Sequence, residues 1–406
     1  MRIPTINKLE LGVDTLLFSL YLAITPINQI LKYGGGSLSK YICLLIMIFL
    51  LVGEYVINKS IHFRNNLIKA VLLVMGWFCL TVFWTYDFSE TLTNLVTAAN
   101  YFIFFILICS HHWTDTQKKI FVHIIIVACL VYSFLLFGAM TVMTRASIRT
   151  EEFKADQNYL AMNVSMGALF AAYYMIISKD RKTFIVYMFA TAILLAGILS
   201  TGSRGGLGVF LISAIFLATH LLDNKLYRKR IGVITVVFLI CFVGMLFSGL
   251  VNERVTQRYI GKEFNLNERG EIAVKYIDIM ASKPYSFFVG FGYGSERKVY
   301  GDYYDTTFLR ATHNDTIRLI AGSGIIGFFL FVGLLYVVWD KAYIKRRDFL
   351  GAACFVLVIL GTFDINIIER YIFWNGLIFA YIGIGANTLP IKRKKTTLSL
   401  EDGLEK

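Results

Sequence analysis

The chain has 406 residues, of which 57% are hydrophobic and only 17% charged, and its mean hydropathy is +0.63. A water-soluble domain carries more charge than this because its surface must be solvated, so that class is excluded and lipid is the solvent for most of the protein. The formal net charge of +13 does not point to nucleic acid, because the basic residues are scattered in short clusters between apolar runs rather than gathered in one soluble domain.

Apolar runs of roughly 20 residues, the length of a bilayer-crossing helix, recur along the sequence. Within lipid every backbone N–H and C=O must be paired internally, which leaves helices or closed barrels, and these runs are too long and too uniformly apolar for barrel strands. The predicted fold is therefore all-α, a polytopic integral membrane protein of about twelve transmembrane helices, read as one membrane domain over residues 1–406. The predicted spans are 11–30, 41–58, 70–86, 95–110, 120–140, 158–177, 183–200, 207–222, 231–250, 314–339, 349–364 and 372–388. The first is read as a helix rather than a removed signal peptide, since no small-residue cleavage site follows it. Alternate gaps hold Arg64, Lys118 and Lys119, the runs Lys179–Lys182, Lys225–Arg230 and Lys341–Arg347, and the tail Lys392–Lys395. The positive-inside rule places these clusters, and with them both termini, in the cytoplasm. Cys43, Cys79, Cys109, Cys129, Cys241 and Cys354 all lie in apolar runs, so neither a disulfide framework nor a zinc site is expected.

Positive charge on the other, external side is not explained by topology. In chain order, the first external cluster is Arg145, Arg149, Lys154, Asp156 and Asn158, just before the sixth span. The second is the turn Ser200-Thr201-Gly202-Ser203-Arg204-Gly205-Gly206. Its small residues leave backbone N–H groups open at a helix start, and Arg204 adds a bidentate donor for phosphate oxygens, so the turn reads as a diphosphate cradle. The alternative is a tight hairpin in which Arg204 reaches lipid head groups.

The largest external connection, residues 251–313, is long enough to carry function. It contains Arg254, Arg258, Lys262 and Arg269, then Lys283-Pro284-Tyr285-Ser286-Phe287-Phe288 and Gly290-Phe291-Gly292-Tyr293-Gly294. Aromatic faces stack on sugar rings and arginines hold phosphate, a composition suited to a glycolipid. Ile272, Tyr276 and Ile279 are at helical spacing, as expected of a short helix lying along the membrane surface. Glu296, Asp302 and Asp305 imitate a metal site but read as an ordinary solvated loop, and no metal is expected. The tenth span opens with Thr312-His313-Asn314-Asp315, then Arg318 and Gly322-Ser323-Gly324-Ile325-Ile326-Gly327. His313 is the candidate base, with Asn314 or Asp315 to fix its tautomer and Arg318 one turn on in the same cavity. The alternative is that His313 and Asn314 simply cap the helix.

The Ser-Arg-Gly-Gly turn, the Pro…Gly-x-Gly stretch and the His-Asn…Gly-Ile-Ile-Gly segment, in this order, resemble the O-antigen ligase and polymerase superfamily. Asp156-Gln157-Asn158 resembles that family's acidic-x-Asn element. The likeness covers roughly residues 145–327, and the first four spans match in hydropathy alone. It departs at Glu268-Arg269-Gly270 and Tyr276, where the family often has Gly-Arg followed by Trp. The resemblance implies an inverting, metal-independent, cofactor-free glycosyltransferase of the GT-C type in the bacterial inner membrane, with its active site facing the periplasm. Its implied substrates are an undecaprenyl-diphosphate-linked oligosaccharide and an acceptor glycan or glycolipid, with a chain-length regulator as a further candidate partner. By similarity Arg204 and Arg269 neutralise the diphosphate and His313 deprotonates the acceptor hydroxyl. Ser203, Asn314, Asp315, Arg318, Arg145 and Asn158 complete the expected site. Within the family the reading favours a polymerase of repeat units over a ligase that moves the finished glycan to lipid A core. A lipid-linked oligosaccharide transporter is the competing class, since it shares the same ground plan.

Overall fold

The computed structural model describes residues 12–26, 32–33, 36–53, 65–142, 157–247, 266–305, 314–364 and 366–385. Within them a helix coincides with every predicted span. The helices are α1 (Val13–Ile24), α2 (Leu38–Leu50), α3 (Asn66–Leu80, continued by a 3-10 turn Thr81–Trp84), α4 (Phe88–Ser110), α5 (Asp115–Val142), α6 (Gln157–Ile177), α7 (Arg181–Ser200), α8 (Arg204–Thr219) and α9 (Lys225–Phe247). After the long connection come α10 (Leu266–Ser282), α11 (Pro284–Val289) and α12 (Glu296–Tyr303), then α13 (Asp315–Trp339, continued by a π turn Asp340–Lys345), α14 (Phe349–Asp364) and α15 (Tyr371–Ile382). The only β pairing among the described residues is a two-residue antiparallel ladder, Lys32–Tyr33 with Gly36–Ser37. Among the described residues six helices are long and apolar enough to cross a membrane, and five shorter apolar ones accompany them, which makes this a helical, multi-pass membrane protein.

Local chemistry sets the helix starts. Asn65, Asp87, Asp180, Ser203 and Asn314 each accept a backbone N–H from the first turn that follows, filling the donors a helix start leaves open. This explains where hydropathy misplaces a boundary. The fourth span was expected from residue 95, but Asp87 caps α4 so that it starts seven residues earlier, at Phe88, and runs through the polar turns of Ser89, Thr93 and Asn94.

Burial sorts the helices into a centre and a shell. Along α15 every residue from Ile372 to Ile382 is buried, and 89% of the apolar window of α6 is buried as well. Neither has an amphipathic stripe, as expected of helices surrounded by protein. α6 packs against α5, α7 and α8, and α15 against α4 and α14. The shell helices turn Leu72, Leu73, Ile103, Ile215, Ile240 and Phe329 outward, a face suited to lipid.

Two expectations need correction. The apolar stripe of α10 is buried in the protein rather than turned to a surface. Ile272, Tyr276, Ile279 and Met280 are buried against Phe291, Val299, Tyr300 and Ala321, forming a second small core under the long connection. Nor is α13 continuous, because Gly324 has φ 69° and ψ 177° in mid-helix, a conformation open to glycine alone at little cost.

Candidate functional site

The first corner is built where α7 turns into α8. Gly202 takes a positive φ of 66°, and Ser203 caps α8 by accepting the Gly206 N–H at 2.9 Å. The Ser203 hydroxyl then donates to Asn158 Oδ1 at 2.5 Å, joining the start of α8 to the start of α6. Gly206 permits this approach, since a Cβ there would lie 2.4 Å from that of Ala161. Arg204, the first residue of α8, is exposed. The predicted cradle is thus partly changed: one of its N–H donors is held by Ser203, and the arginine faces outward beside a rigid turn.

The second corner is the start of α13. Asn314 accepts the N–H groups of Thr316 and Ile317 at 2.9 and 3.2 Å. Asp315 is buried, and its Oδ2 accepts the N–H groups of Ile367 and Ile368 at 2.6 and 2.9 Å, so it holds the connection between α14 and α15. Arg318 is 7% exposed. Its Nε donates to Glu296 Oε1 at 3.0 Å and its Nη2 to Glu369 Oε1, while Nη1 lies 3.9 Å from Asp315 Oδ1. Sequence reasoning expected Arg318 to point into a ligand cavity, whereas here it is the hub of a buried cluster with three carboxylates. A charge that deep is stable only with such partners. Glu296, read from sequence as part of a solvated loop, is 1% exposed. Tyr293, Gly294 and Leu319 close the small cavity, of about 10 Å³, beside this cluster.

A glycine-rich strap holds the cluster in place. Gly290, Gly292 and Gly294 all have positive φ, between 78° and 104°. The Phe291 and Gly292 N–H groups donate to Ala321 and Gly322 carbonyls at 2.8 and 3.0 Å, and Tyr86 N–H donates to Phe291 O at 2.7 Å. Trp77 and Trp84 donate from Nε1 to Ser323 O and Val289 O at 2.7 and 3.1 Å. Tyr293 stacks on Phe78 with ring centroids 4.1 Å apart. The break in α13 at Gly324 is where this strap docks, a Cβ there falling 2.1 Å from Phe288 O. Phe291 and Tyr293 are therefore part of the packing rather than a platform for sugar rings, and among the described residues of this connection the exposed aromatics are Tyr285, Phe287, Phe288 and Tyr303. Asp302, exposed, accepts from Tyr86 Oη at 2.9 Å and pairs with Lys298 at 3.1 Å. Those two hydrogen bonds hold its carboxyl below the usual carboxylate range.

Of the other expected residues, Arg145 and His313 lie outside the described residues, and Arg269 lies on α10 with its side chain outside them. The described residues contain no His, Cys, Asp and Glu grouping able to hold a metal ion. Sequence reasoning passed over Glu369 and Arg370. Glu369 pairs with Arg318, and Tyr101 Oη donates to its carbonyl at 2.8 Å. The Arg370 guanidinium lies 5.6 Å from the centre of the Tyr159 ring. The available signal was a charged pair in a short connection predicted to face outward. From the start of α13 an apolar groove of about 330 Å³ runs between α13 and α14, lined by Thr316, Leu319, Phe331, Leu335, Phe355 and Phe363 among others.

Comparison with known proteins adds one finding. None of the curated proteins compared with the chain matches it. Residues 189–332 match the family model described as O-Antigen ligase, a stretch that contains the Ser203–Arg204 turn, the strap and the Asn314–Arg318 turn but not Asn158, Glu369 or Arg370. This match, over the stretch that carries the ordered motifs, makes residues 189–332 similar to the O-antigen ligase family and supports the resemblance to the O-antigen ligase and polymerase superfamily.

Proposed function

We propose that the protein transfers a glycan from undecaprenyl diphosphate to an acceptor sugar hydroxyl at the periplasmic face of the inner membrane. Its product would be a polymer of O-antigen or related repeat units. All the helices at predicted spans would then cross the bilayer, about twelve in number, with both termini in the cytoplasm. The observation that carries the reading is a convergence. The family-matched stretch brings the Ser203–Arg204 corner and the start of α13 to the same end of the bundle. There they are tied to α6 through Asn158 and to the connection after α14 through Asp315.

In the proposed reaction the acceptor oxygen forms its bond to the anomeric carbon as the bond from that carbon to the diphosphate oxygen breaks. His313, immediately before the Asn314 cap, takes the hydroxyl proton. Undecaprenyl diphosphate leaves, its charge met by Arg204 and Arg269 in place of a metal. Ser203 and Asn158 position Arg204, and Arg145 lines the donor approach. Arg318 holds Glu296, Glu369 and the start of α13 in register rather than touching substrate, since its donors are directed at carboxylates. A chain-length regulator is the proposed protein partner.

A broken helix and buried charges are also marks of transporters. Here the break is filled by the strap, so that a Cβ on Gly324 would lie 2.1 Å from Phe288 O, and the buried Arg318 is paired with carboxylates, which favours interfacial chemistry over alternating access. The test is complementation of a deletion strain with wild type, His313→Ala or Arg204→Ala at matched membrane expression, reading the lipopolysaccharide ladder. A polymerase predicts core with a single repeat in the deletion strain and a ladder restored by wild type alone. Bare core with accumulated lipid-linked polymer would mean a ligase, and full rescue by both variants would overturn the mechanism.

A further inference from the structure

Arg370 is the N-cap residue of α15, and it is exposed. Its backbone is fixed: its N–H donates to Ile367 O at 2.8 Å and its carbonyl accepts from Phe373 N–H at 3.1 Å. The connection beneath it is clamped by Asp315 Oδ2 on the N–H groups of Ile367 and Ile368, and by Trp374 Nε1 donating to Ile368 O at 2.8 Å. The arginine therefore stands on a rigid base, unlike a side chain on a mobile loop.

Among the described residues its charge is unmatched. The neighbouring carboxylates of Glu369, Glu296 and Asp315 are all directed at Arg318, and among the described residues no carboxylate pairs with Arg370. What it has instead is the face of Tyr159. A guanidinium held on a ring keeps its N–H edge for an acceptor in its own plane, and a phosphate is the bidentate match to that fork. Tyr159, 3% exposed, directly follows Asn158, whose side chain accepts from Ser203, the residue before Arg204. The first turn of α6 thus adjoins both the start of α8, through Asn158 and Ser203, and the start of α15, through Tyr159 and Arg370.

We propose that Arg370 binds the diphosphate of the lipid-linked donor at the first turn of α6, the turn that Ser203, next to Arg204, also contacts. This rests on the function proposed above. The same guanidinium chemistry would also take the phosphate of a bulk lipid head group, so the experiment separates the two sources. Full-length protein in phosphatidylcholine nanodiscs is titrated with undecaprenyl diphosphate, then again in discs rich in phosphatidylglycerol, for wild type, Arg370→Gln and Arg370→Lys. Melting of the same samples serves as the folding control, since Arg370 is exposed.

The expected result is wild-type binding that Arg370→Gln weakens on the order of tenfold, the scale of a charge-assisted hydrogen bond. Arg370→Lys falls between, keeping the charge but not the fork, and the ratios are the same in both lipids. Equal binding by wild type and Arg370→Gln would overturn the assignment of Arg370 and leave the functional reading standing. A difference seen only in phosphatidylglycerol would also overturn it, assigning the guanidinium to bulk head groups. No binding of undecaprenyl diphosphate by wild type would overturn the assignment and the functional reading together.

Discussion

At one end of the bundle Arg230 donates to the carbonyls of Ile176 (2.7 Å) and Ser178 at the close of α6, and Arg346 donates to Tyr381 O near the close of α15. At the other end Arg318 is enclosed by Glu296, Glu369 and Asp315, while Arg204 and Arg370 face outward. The first end uses cations to finish helix C-termini, where unpaired carbonyls and the helix dipole favour positive charge. His220 there bonds Tyr343 at 2.9 Å, and Lys341 lies over the Tyr381 ring. The second end combines a buried, mutually dependent charge cluster with exposed arginines beside it. A cluster of that kind adds little stability over an apolar core, yet breaking it is costly. Among the described residues such a cluster of paired charges lies at this end, whereas the opposite end buries Asp348 on the N–H groups of Gly351 and Gly385.

The largest expected effect separates the two ends directly. Arg318→Met should cost about 3–5 kcal/mol, because it leaves buried carboxylates without their counter-charge. Arg230→Met at the opposite end should cost about 1 kcal/mol, the scale of a lost hydrogen bond at a half-exposed site. Thermal unfolding in one detergent compares the two, and equal losses would erase the distinction between the ends. Glu296→Leu made together with Arg318→Met should recover a good part of the loss, since it removes one of the two carboxylates to which Arg318 donates.

Next in size is the strap. Gly324→Ala should destabilise by about 1–3 kcal/mol, through both the positive φ and the clash with the Phe288 carbonyl. Gly333→Ala, in the same helix where a Cβ meets nothing within 4 Å, should be neutral or slightly stabilising. If the two behave alike, the strap does not dock as described.

How far the sequence foretold all this depends on the range of the interaction. The Asn314 cap, the alternative reading of its turn, was legible because a cap is local, a side chain bonding an N–H two residues on, whereas the Ser203 turn was read as open N–H groups, one of which Ser203 takes. The helices were legible because lipid imposes one solution on an apolar run. The Arg318 cluster was not, since its partners lie 22 and 51 residues away and nothing in the spacing of Glu296 or Glu369 marks them as buried. The glycines of Gly290–Gly294 announced conformational freedom, but not that it would serve the docking of the strap into a broken helix. Burial of Phe291 and Tyr293 then removed them from the aromatic surface that composition alone had offered.

The smallest effect sharpens the comparison at the surface. Asp302 ties α12 to Tyr86 and has its carboxyl depressed by Lys298 and Tyr86. An acid depressed in the folded state contributes stability above its unfolded value of about 4, and that contribution is lost as pH falls through the folded value. Proteolysis of the long connection should therefore increase modestly on acidification through that window in wild type, and already at neutral pH in Asp302→Asn. Cleavage independent of pH in wild type would remove Asp302 from the account.

The central claim, that chemistry belongs to the end carrying Ser203, Arg204, the Arg318 cluster and Arg370, is tested most directly by reconstituted transfer. Purified protein in nanodiscs receives a synthetic undecaprenyl-diphosphate oligosaccharide, and elongated glycan and released undecaprenyl diphosphate are measured together. The account predicts equal release and chain growth in wild type, a loss of at least 100-fold, on the order of one general base, in His313→Ala, and full activity in Arg230→Met. Unimpaired transfer by His313→Ala, or activity lost in Arg230→Met without loss of folding, would contradict it.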